Sequence, residues 1–462
     1  MLRQFNQAHL KCLKVEQNLS MANNRVFKRK QYSFLRRFFG LAIVNTLSNL
    51  MVPLAGLVDV AFLGHLAEIR HLAGVALATV LFNYIYWSFG FLRMGTTGTT
   101  AQAVGRGDYE EVLLTGLRNG VLALGLGLAI LVLQHPLREF GFALLSAAPE
   151  VKSSGEAYYN TRIWGAPATL LNFVLIGWFL GREQSGKVLI LSAVGNGANV
   201  VLDSLFIVRW GWESAGAGLA TTASQYLMLL VGMTITCQEL QFAVRTVAGR
   251  ILDLSALRAA LALNGDLLVR TFALISTFAL FTNLSSVLGT VVLATNALLL
   301  HVVTLAAYFI DGLAFATESL AGIFRGKGVS EQLAPLVLIS GGASLSLGLA
   351  FALVFVLLPS HLFGLLTNHS EIIERVSSYA LWLLPVLGFG SVAYMLDGYF
   401  LGLTEGCILR KATVIAALLG FAPVAVVAWQ LQSSHLLWLA LSLFMAARVV
   451  TLGLQVPRTL SN

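Results

Sequence analysis

Four polar residues in apolar stretches of this chain are the first candidates for chemistry. Asp59 lies within the apolar run 41–63, Asn199 and Asp203 lie four residues apart in a later run, and Thr221 follows in the next run. A spacing of four places Asn199 and Asp203 on one face of a helix. If these runs are helices that meet inside a membrane, their side chains form an oxygen-rich pocket. Such a pocket suits a proton shared between carboxylates, or a small hard cation such as sodium.

The elements that must position these residues are membrane spans. Hydrophobic residues make up 57% of the 462-residue chain and charged residues 11%, against roughly 25% charged in an ordinary soluble domain. Each predicted span can cross a hydrocarbon core of roughly 30 Å as a helix. Twelve apolar stretches are centred near residues 52, 84, 125, 171, 198, 226, 278, 308, 346, 390, 416 and 445. We therefore predict an all-α integral membrane protein with twelve transmembrane helices.

An internal duplication divides these spans into two halves. One constant shift along the chain aligns windows of the first half with the second, and the glycines carry most weight because backbone geometry constrains them. Six spans per half is an even number, so both halves enter the membrane in the same direction as a parallel repeat. We predict two six-helix bundles. We call this constant shift along the chain the repeat interval. It matches Gly105 with Gly326, Gly107 with Gly328, Gly177 with Gly398, and Gly181 with Gly402.

The domain boundaries follow from composition. We predict a basic, disordered cytoplasmic tail over 1–35, an amino-terminal lobe over 36–239, a linker over 240–261, a carboxy-terminal lobe over 262–456 and a short tail over 457–462. Arginines among apolar residues at helical spacing make the linker an amphipathic helix on the cytoplasmic surface, with a plain tether as the alternative. The basic tail has a second interpretation, as an organelle-targeting peptide.

The distribution of positive charge predicts the topology. Of 30 Lys and Arg, 23 fall on the side of the amino terminus, including Arg270 in a loop and Arg448 in the carboxy-terminal tail. This asymmetry places both termini in the cytoplasm of a multi-pass protein of the inner (plasma) membrane, or of an organelle membrane if the tail is a targeting peptide. The net charge of +8 is thereby explained without nucleic acid.

Further polar and aromatic residues within the spans are candidates for a substrate cavity between the lobes. Asn and Thr also commonly join helices, and aromatic residues commonly pack, so structural roles stay open for each of them. Arg270 is a candidate partner for the acids of the second half. The candidates are Asn45, Asn49, Tyr84, Trp87, Trp164, Asn172, Asn196, Gln225, Asp311, Glu318 and Asp397.

Metal and cofactor chemistry find no support in the sequence. Three cysteines, Cys12, Cys237 and Cys407, are widely separated, and no histidine pair has zinc-ligand spacing. No nucleophile is paired with a base, so an integral-membrane enzyme is the weakest hypothesis. The only bound ion we expect is the coupling ion.

Several runs resemble a known family. Residues 53–66, PLAGLVDVAFLGHL, and 72–76, LAGVA, resemble the first two spans of multidrug and toxic compound extrusion (MATE) transporters. Residues 199–203, NVVLD, and 308–328, YFIDGLAFATESLAGIFRGKG, resemble the DinF-type branch of that family. The resemblance covers residues 34–454.

This resemblance implies an exporter of two six-helix lobes that alternates between outward-open and inward-open states, driven by an inward proton or sodium gradient. It assigns Asp59 to the first-span aspartate of the family, and Asn199, Asp203 and Thr221 to the rest of the cation site. One departure is Val44, which stands where the family usually has a proline.

The leading hypothesis is a monomeric secondary antiporter that exports drug-like or metabolite organic substrates in exchange for protons or sodium. A flippase for a lipid-linked precursor is the alternative. A flippase requires a strongly cationic cavity for a pyrophosphate, whereas only Arg93, Arg162 and Arg270 are available in or beside the spans. The sequence leaves the substrate and the coupling ion open.

Overall fold

The computed structural model describes residues 34–66, 68–145, 147–240, 248–251, 253–364 and 370–460. Within these residues every regular element is helical, and twelve helices are long and apolar enough to span a membrane. Each predicted centre lies within one of them, so the predicted fold class is confirmed. The spans are α1 Leu35–Gly64, α2 Ile69–Arg106, α3 Tyr109–Val132, α4 Pro149–Gly181, α5 Ser185–Arg209, α6 Glu213–Glu239, α7 Ser255–Val287, α8 Thr290–Gly326, α9 Ser330–Leu357, α10 Ile372–Gly402, α11 Gly406–Gln430 and α12 Ser434–Leu460.

The backbone repeats at the same interval as the sequence. The repeat interval carries the first residues of α2, α3, α5 and α6 onto the first residues of α8, α9, α11 and α12. Left-handed backbone recurs at the same interval, which shows that equivalent turns share one geometry. The φ pairs are 72° and 69° at Gly107 and Gly328, 57° and 59° at Glu183 and Thr404, and 67° and 49° at Gly211 and Gln432.

Two spans are broken by short 3₁₀ turns that lie about one helical turn from strictly equivalent places. In α4 the turn covers Ile163–Gly165, just before Pro167, and in α10 it covers Ala380–Trp382, before Pro385. Proline has no N–H to continue the helical ladder, so a tightened turn before it removes the conflict. In contrast, α1 continues as an α-helix through Pro53.

The two lobes contact each other mainly through α1 and α2 on one side and α8 on the other. The Thr46 hydroxyl and the Asn49 amide of α1 reach the carbonyls of Phe309 and Tyr308, each at 3.4 Å. Gly312 makes this approach possible, since a Cβ atom there would lie 2.9 Å from the Ala42 carbonyl oxygen. Close backbone packing at small residues is typical of helix contacts in membranes.

Two topology predictions are wrong. Arg448 lies within α12 and is fully buried, and Arg270 lies within α7, so neither belongs to a tail or loop. Both guanidinium groups bind Asp397 of α10, and this pairing allows charged side chains to lie inside a span. An apolar window alone does not reveal such a pairing.

The predicted termini and linker are only partly covered by the structure. Most of the predicted 1–35 tail and residues 461–462 lie outside the described residues, as does 241–247 of the linker. Within the linker, Ala248–Arg250 forms a 3₁₀ turn that contacts α3, where Arg118 donates to the Arg250 carbonyl at 3.1 Å. The helix leading into the second lobe begins at Leu254. The other domain boundaries stay predictions.

Candidate functional site

The structure brings Asp59 of α1 and Asp203 of α5 together. Their carboxyl groups lie side by side within hydrogen-bonding reach. Asp203 is fully buried, and neither of its oxygens receives a hydrogen bond from a donor among the described residues. Two ionised carboxylates in such contact repel each other, so the arrangement requires a proton or a cation.

The backbone changes form at the acid pair. The α-helical part of α5 ends at Asp203, and residues Ser204–Arg209 continue as a π-helix. Wider turns of this kind leave carbonyl groups out of the regular ladder and occur frequently at functional sites. Asp203 therefore lies at a junction between two helical geometries.

The other predicted members of the cation site lie nearby in the fold with different partners. Asn199 is buried one turn before Asp203, and its amide nitrogen has no acceptor among the described residues. The Thr221 hydroxyl donates to the Ala217 carbonyl of its own helix at 3.0 Å. The part of Asn199 and Thr221 in ion binding stays a prediction. Asn196, which was predicted for the substrate cavity instead, donates its amide N–H to the Ser192 carbonyl at 2.8 Å.

Asp59 also interacts with a cation to which the sequence analysis assigned no part in the cation site. Arg162 of α4 acts electrostatically on Asp59. Its guanidinium lies 4.5 Å from the ring centre of Phe82 and donates to the Tyr158 hydroxyl at 2.5 Å. Aromatic contacts of this type hold a guanidinium in place without neutralising it.

A cavity of about 810 Å³ lies between the lobes. It is bounded by α2, α7, α8 and α10, toward the membrane side that holds the α1–α2 and α7–α8 connections. Three predicted cavity residues, Tyr84, Trp87 and Asp311, line it. The remaining wall is largely aliphatic, and its aromatic and neutral polar residues include Asn83, Phe278, Thr282, Asn283, Tyr308 and Tyr394.

The three acids of the second half have different surroundings. Glu318 is fully buried and contacts Arg93 of α2 at 3.3 Å, whereas Asp397 is held by both Arg270 and Arg448. Asp311 has no ion pair within 4.0 Å among the described residues and reaches the cavity. Glu318 and Asp397 do not line it.

The remaining candidates for the substrate cavity lie outside its wall. Asn172 of α4 donates to the Gln225 carbonyl and side chain at 2.9 and 3.0 Å, joining α4 to α6. Asn45 is buried, and neither atom of its amide has a partner among the described residues. Trp164 is 54% exposed at the surface of the amino-terminal lobe. Asn49 bonds α8 instead.

No group of three His, Cys, Asp or Glu side chains suited to a metal ion occurs in the part of the chain that the structure describes. The acid pair consists of only two such residues. The arrangement therefore offers a titratable pair in one lobe and, between the lobes, a largely apolar cavity that carries several aromatic rings and the acid Asp311. Together, the duplicated fold and these sites define a membrane transporter.

Comparisons with known proteins agree with this class. The MatE family model matches residues 46–205 and 267–427, one segment in each lobe and together more than half of the chain. The chain belongs to this family, the MATE transporters. It is 34% identical over 419 residues to DNA damage-inducible protein F of Escherichia coli, covering 89% of this chain and 90% of that protein. The chloroplastic protein DETOXIFICATION 44 of Arabidopsis thaliana is 26% identical over 414 residues, covering 86% of this chain and 77% of that protein.

Solved structures support the fold. A MATE transporter of the MOP superfamily in an outward-facing conformation superposes with a TM-score of 0.85 at 20% identity, covering 92% of this chain and 95% of that one. A second transporter of the same superfamily, from Pyrococcus furiosus, gives a TM-score of 0.82 at 20% identity, covering 92% and 96%. The predicted resemblance is confirmed, and the protein is an antiporter that exports substrates across a membrane.

Proposed function

We propose that this antiporter exports aromatic organic cations in exchange for protons, and that the proton binds at Asp59 and Asp203. The observation that supports this assignment is the side-by-side contact of the two carboxyl groups inside the amino-terminal lobe. One proton shared between two carboxyls removes their repulsion, and its loss restores it. Protonation thus changes how closely α1 and α5 pack.

The small number of acid ligands at the pair favours a proton over sodium. A proton needs only the two carboxyl groups that share it, whereas hard metal cations take several oxygen ligands. Among the described residues, no third acid joins Asp59 and Asp203 in a group suited to a metal ion.

Coupling follows from linkage between the proton and the substrate. If protonation of the pair favours one arrangement of α1 and the substrate favours another, each ligand weakens the binding of the other by the same factor. Contacts of α1 with α8 at Thr46 and Asn49 provide the physical connection, because α8 also forms the cavity wall at Tyr308 and Asp311. Movement of α1 therefore reaches the cavity directly.

The cavity wall suggests the substrate class. Asp311 supplies a carboxylate without an ion pair within 4.0 Å among the described residues, although Arg93 and Arg270 act on it electrostatically from farther away. Tyr84, Trp87, Tyr308 and Tyr394 supply aromatic faces. A cation with an aromatic framework is attracted by both features. In contrast, none of the described residues lining the cavity is Lys or Arg, which disfavours a pyrophosphate-linked lipid.

We further propose a monomer with both termini in the cytoplasm. Each chain supplies both lobes and therefore the whole cavity. The excess of Lys and Arg on the side of the amino terminus supports the orientation. A bacterial inner membrane fits the Escherichia coli relative, and an organelle membrane stays the alternative because another relative is chloroplastic.

Transport in proteoliposomes tests this function. Purified protein is reconstituted with either a pH gradient or a sodium gradient, and uptake of ethidium, a fluorescent aromatic cation, is compared with uptake of the anion fluorescein. We expect uptake of the cation under the pH gradient, with matching proton movement. Transport driven only by sodium, or only of the anion, would contradict the proposal.

Asp311→Asn tests the cavity assignment. We expect the KM for ethidium to rise about tenfold, because removal of one close charge interaction from a partly buried site costs roughly 1–2 kcal/mol. The maximal rate should change less, since the acid pair is intact. Transport measured over a range of ethidium concentrations gives both constants. Asp266→Asn, which removes an acid outside the cavity wall, serves as the control and should leave KM unchanged.

A further inference from the structure

The lobes are closed against each other at the end of the molecule opposite the cavity, and equivalent residues of the two halves meet there. A Cβ atom on Gly322 would lie 2.5 Å from the Ala101 Cβ, and one on Gly105 would lie 2.8 Å from the Gly326 Cα. The members of each pair are one repeat interval apart in the chain. Residues related by a two-fold axis touch each other only at that axis, so the axis passes between α2 and α8 here.

A third equivalent pair, one turn closer to the cavity, breaks this symmetry. Thr97 and Glu318 are also one repeat interval apart, and the Thr97 hydroxyl lies beside the Glu318 carboxylate. Glu318 contacts Arg93 at 3.3 Å, and the Arg93 guanidinium lies 4.1 Å from the ring centre of Phe315. Arg93 belongs to the amino-terminal lobe and Glu318 to the carboxy-terminal lobe. A buried ion pair therefore joins the lobes at their shared axis.

Neighbouring contacts show that this region is a seal. The Gln102 amide of α2 donates to the Gly402 carbonyl and the Thr404 hydroxyl at the end of α10, both at 3.1 Å. A Cβ atom on Gly402 would lie 3.0 Å from the amide nitrogen of Gly322. Three helices from two lobes thus pack backbone against backbone beneath the cavity floor, where Asp311 lies two turns above Glu318 on α8.

We propose that Arg93 and Glu318 form a latch that holds this end of the transporter closed and must open in every transport cycle. In an alternating-access cycle the contacts of α2 with α8 have to separate for substrate to cross. The ion pair is the only contact in this seal that joins full charges among the described residues. When this ion pair separates, water solvates both charges in the opened state. The latch therefore opposes opening without preventing it.

Lobe positions measured by spin-label distances test the latch. Cysteines replace exposed residues at the cavity end, Ile69 and Val287, or at the closed end, Tyr109 and Glu331, after the three native cysteines are replaced by serine. The distance distributions give the ratio of the two states. Measurements at one pH without substrate or gradient make the result independent of the coupling ion, although the latch presupposes the alternating-access transport described above.

Glu318→Gln should shift this ratio toward the state opened at Tyr109 and Glu331 by about tenfold, within the roughly 5–150-fold range of conformational coupling. Arg93→Met should act in the same direction. The double variant leaves no unpaired buried charge, so it should shift the ratio in the same direction but by less, and it also serves if a single variant folds poorly. Exchange of the charges, Arg93→Glu with Glu318→Arg, should return the ratio toward that of the unmodified protein.

The control is Glu111→Gln, which breaks an ion pair with the buried Arg118 inside one lobe. It should leave the ratio unchanged because its partners do not separate when the lobes move. An unchanged ratio in a well-folded Glu318→Gln or double variant would overturn the latch. An equal shift in Glu111→Gln would do the same, because the effect would then be a general response to charge removal.

Discussion

Asp59→Asn should abolish substrate accumulation driven by a pH gradient. Per proton exchanged, one pH unit can support about a tenfold concentration ratio, so a gradient of two units supports about a hundredfold ratio in the unmodified protein. Asparagine resembles a carboxyl that is permanently neutral, so the contact with Asp203 survives but no longer depends on pH. We expect an accumulation ratio near one, measured with ethidium in proteoliposomes.

Matched variants separate loss of coupling from loss of folding. Asp203→Asn should behave like Asp59→Asn, whereas Asp266→Asn removes a partly exposed acid paired with Arg410 and should retain full accumulation. Binding of ethidium to detergent-solubilised Asp59→Asn should persist, because Asp311 and the cavity wall are unchanged. Accumulation by Asp59→Asn at the level of the unmodified protein would contradict the coupling role of this residue.

The sequence was informative where a pattern is local. Span positions follow from apolar length, and the repeat follows from glycines whose backbone geometry recurs, such as Gly107 and Gly328 with left-handed φ in both halves. The sequence predicted a contact between Asp59 and Asp203 only on the condition that their spans meet, and the structure fulfils this condition.

The sequence did not reveal which charged residues form ion pairs between distant spans. Arg448 and Arg270 were assigned to a tail and a loop because a positive residue near the end of an apolar window has the same local pattern whether it is solvated or buried. Which acid each arginine meets depends on helix rotation and lobe packing, and one chain without its relatives does not encode that in its periodicity. For the same reason the spacing did not distinguish Asp311, which reaches the cavity, from Glu318, two turns away in an ion pair.

The second large effect is expected on stability at the buried cluster of the carboxy-terminal lobe. Asp397 binds Arg270 and Arg448, and Arg448 is fully buried. Asp397→Leu leaves two buried guanidinium groups without a counter-charge and should lower the free energy of unfolding by roughly 3–5 kcal/mol. Thermal unfolding in lipid nanodiscs, followed by far-ultraviolet circular dichroism, measures the change. Arg410→Gln, which breaks a partly exposed pair with Asp266, should cost no more than about 1 kcal/mol.

A triple variant distinguishes the cost of an unpaired charge from the value of the ion pairs themselves. Arg270→Met, Asp397→Leu and Arg448→Met together replace the cluster by apolar side chains of similar length, and apolar replacement of a buried ionic cluster is often neutral or stabilising. We therefore expect the triple variant to melt well above Asp397→Leu alone. If it melts lower instead, the ion pairs stabilise the lobe in their own right, and the cluster is more than a means of burying three charges.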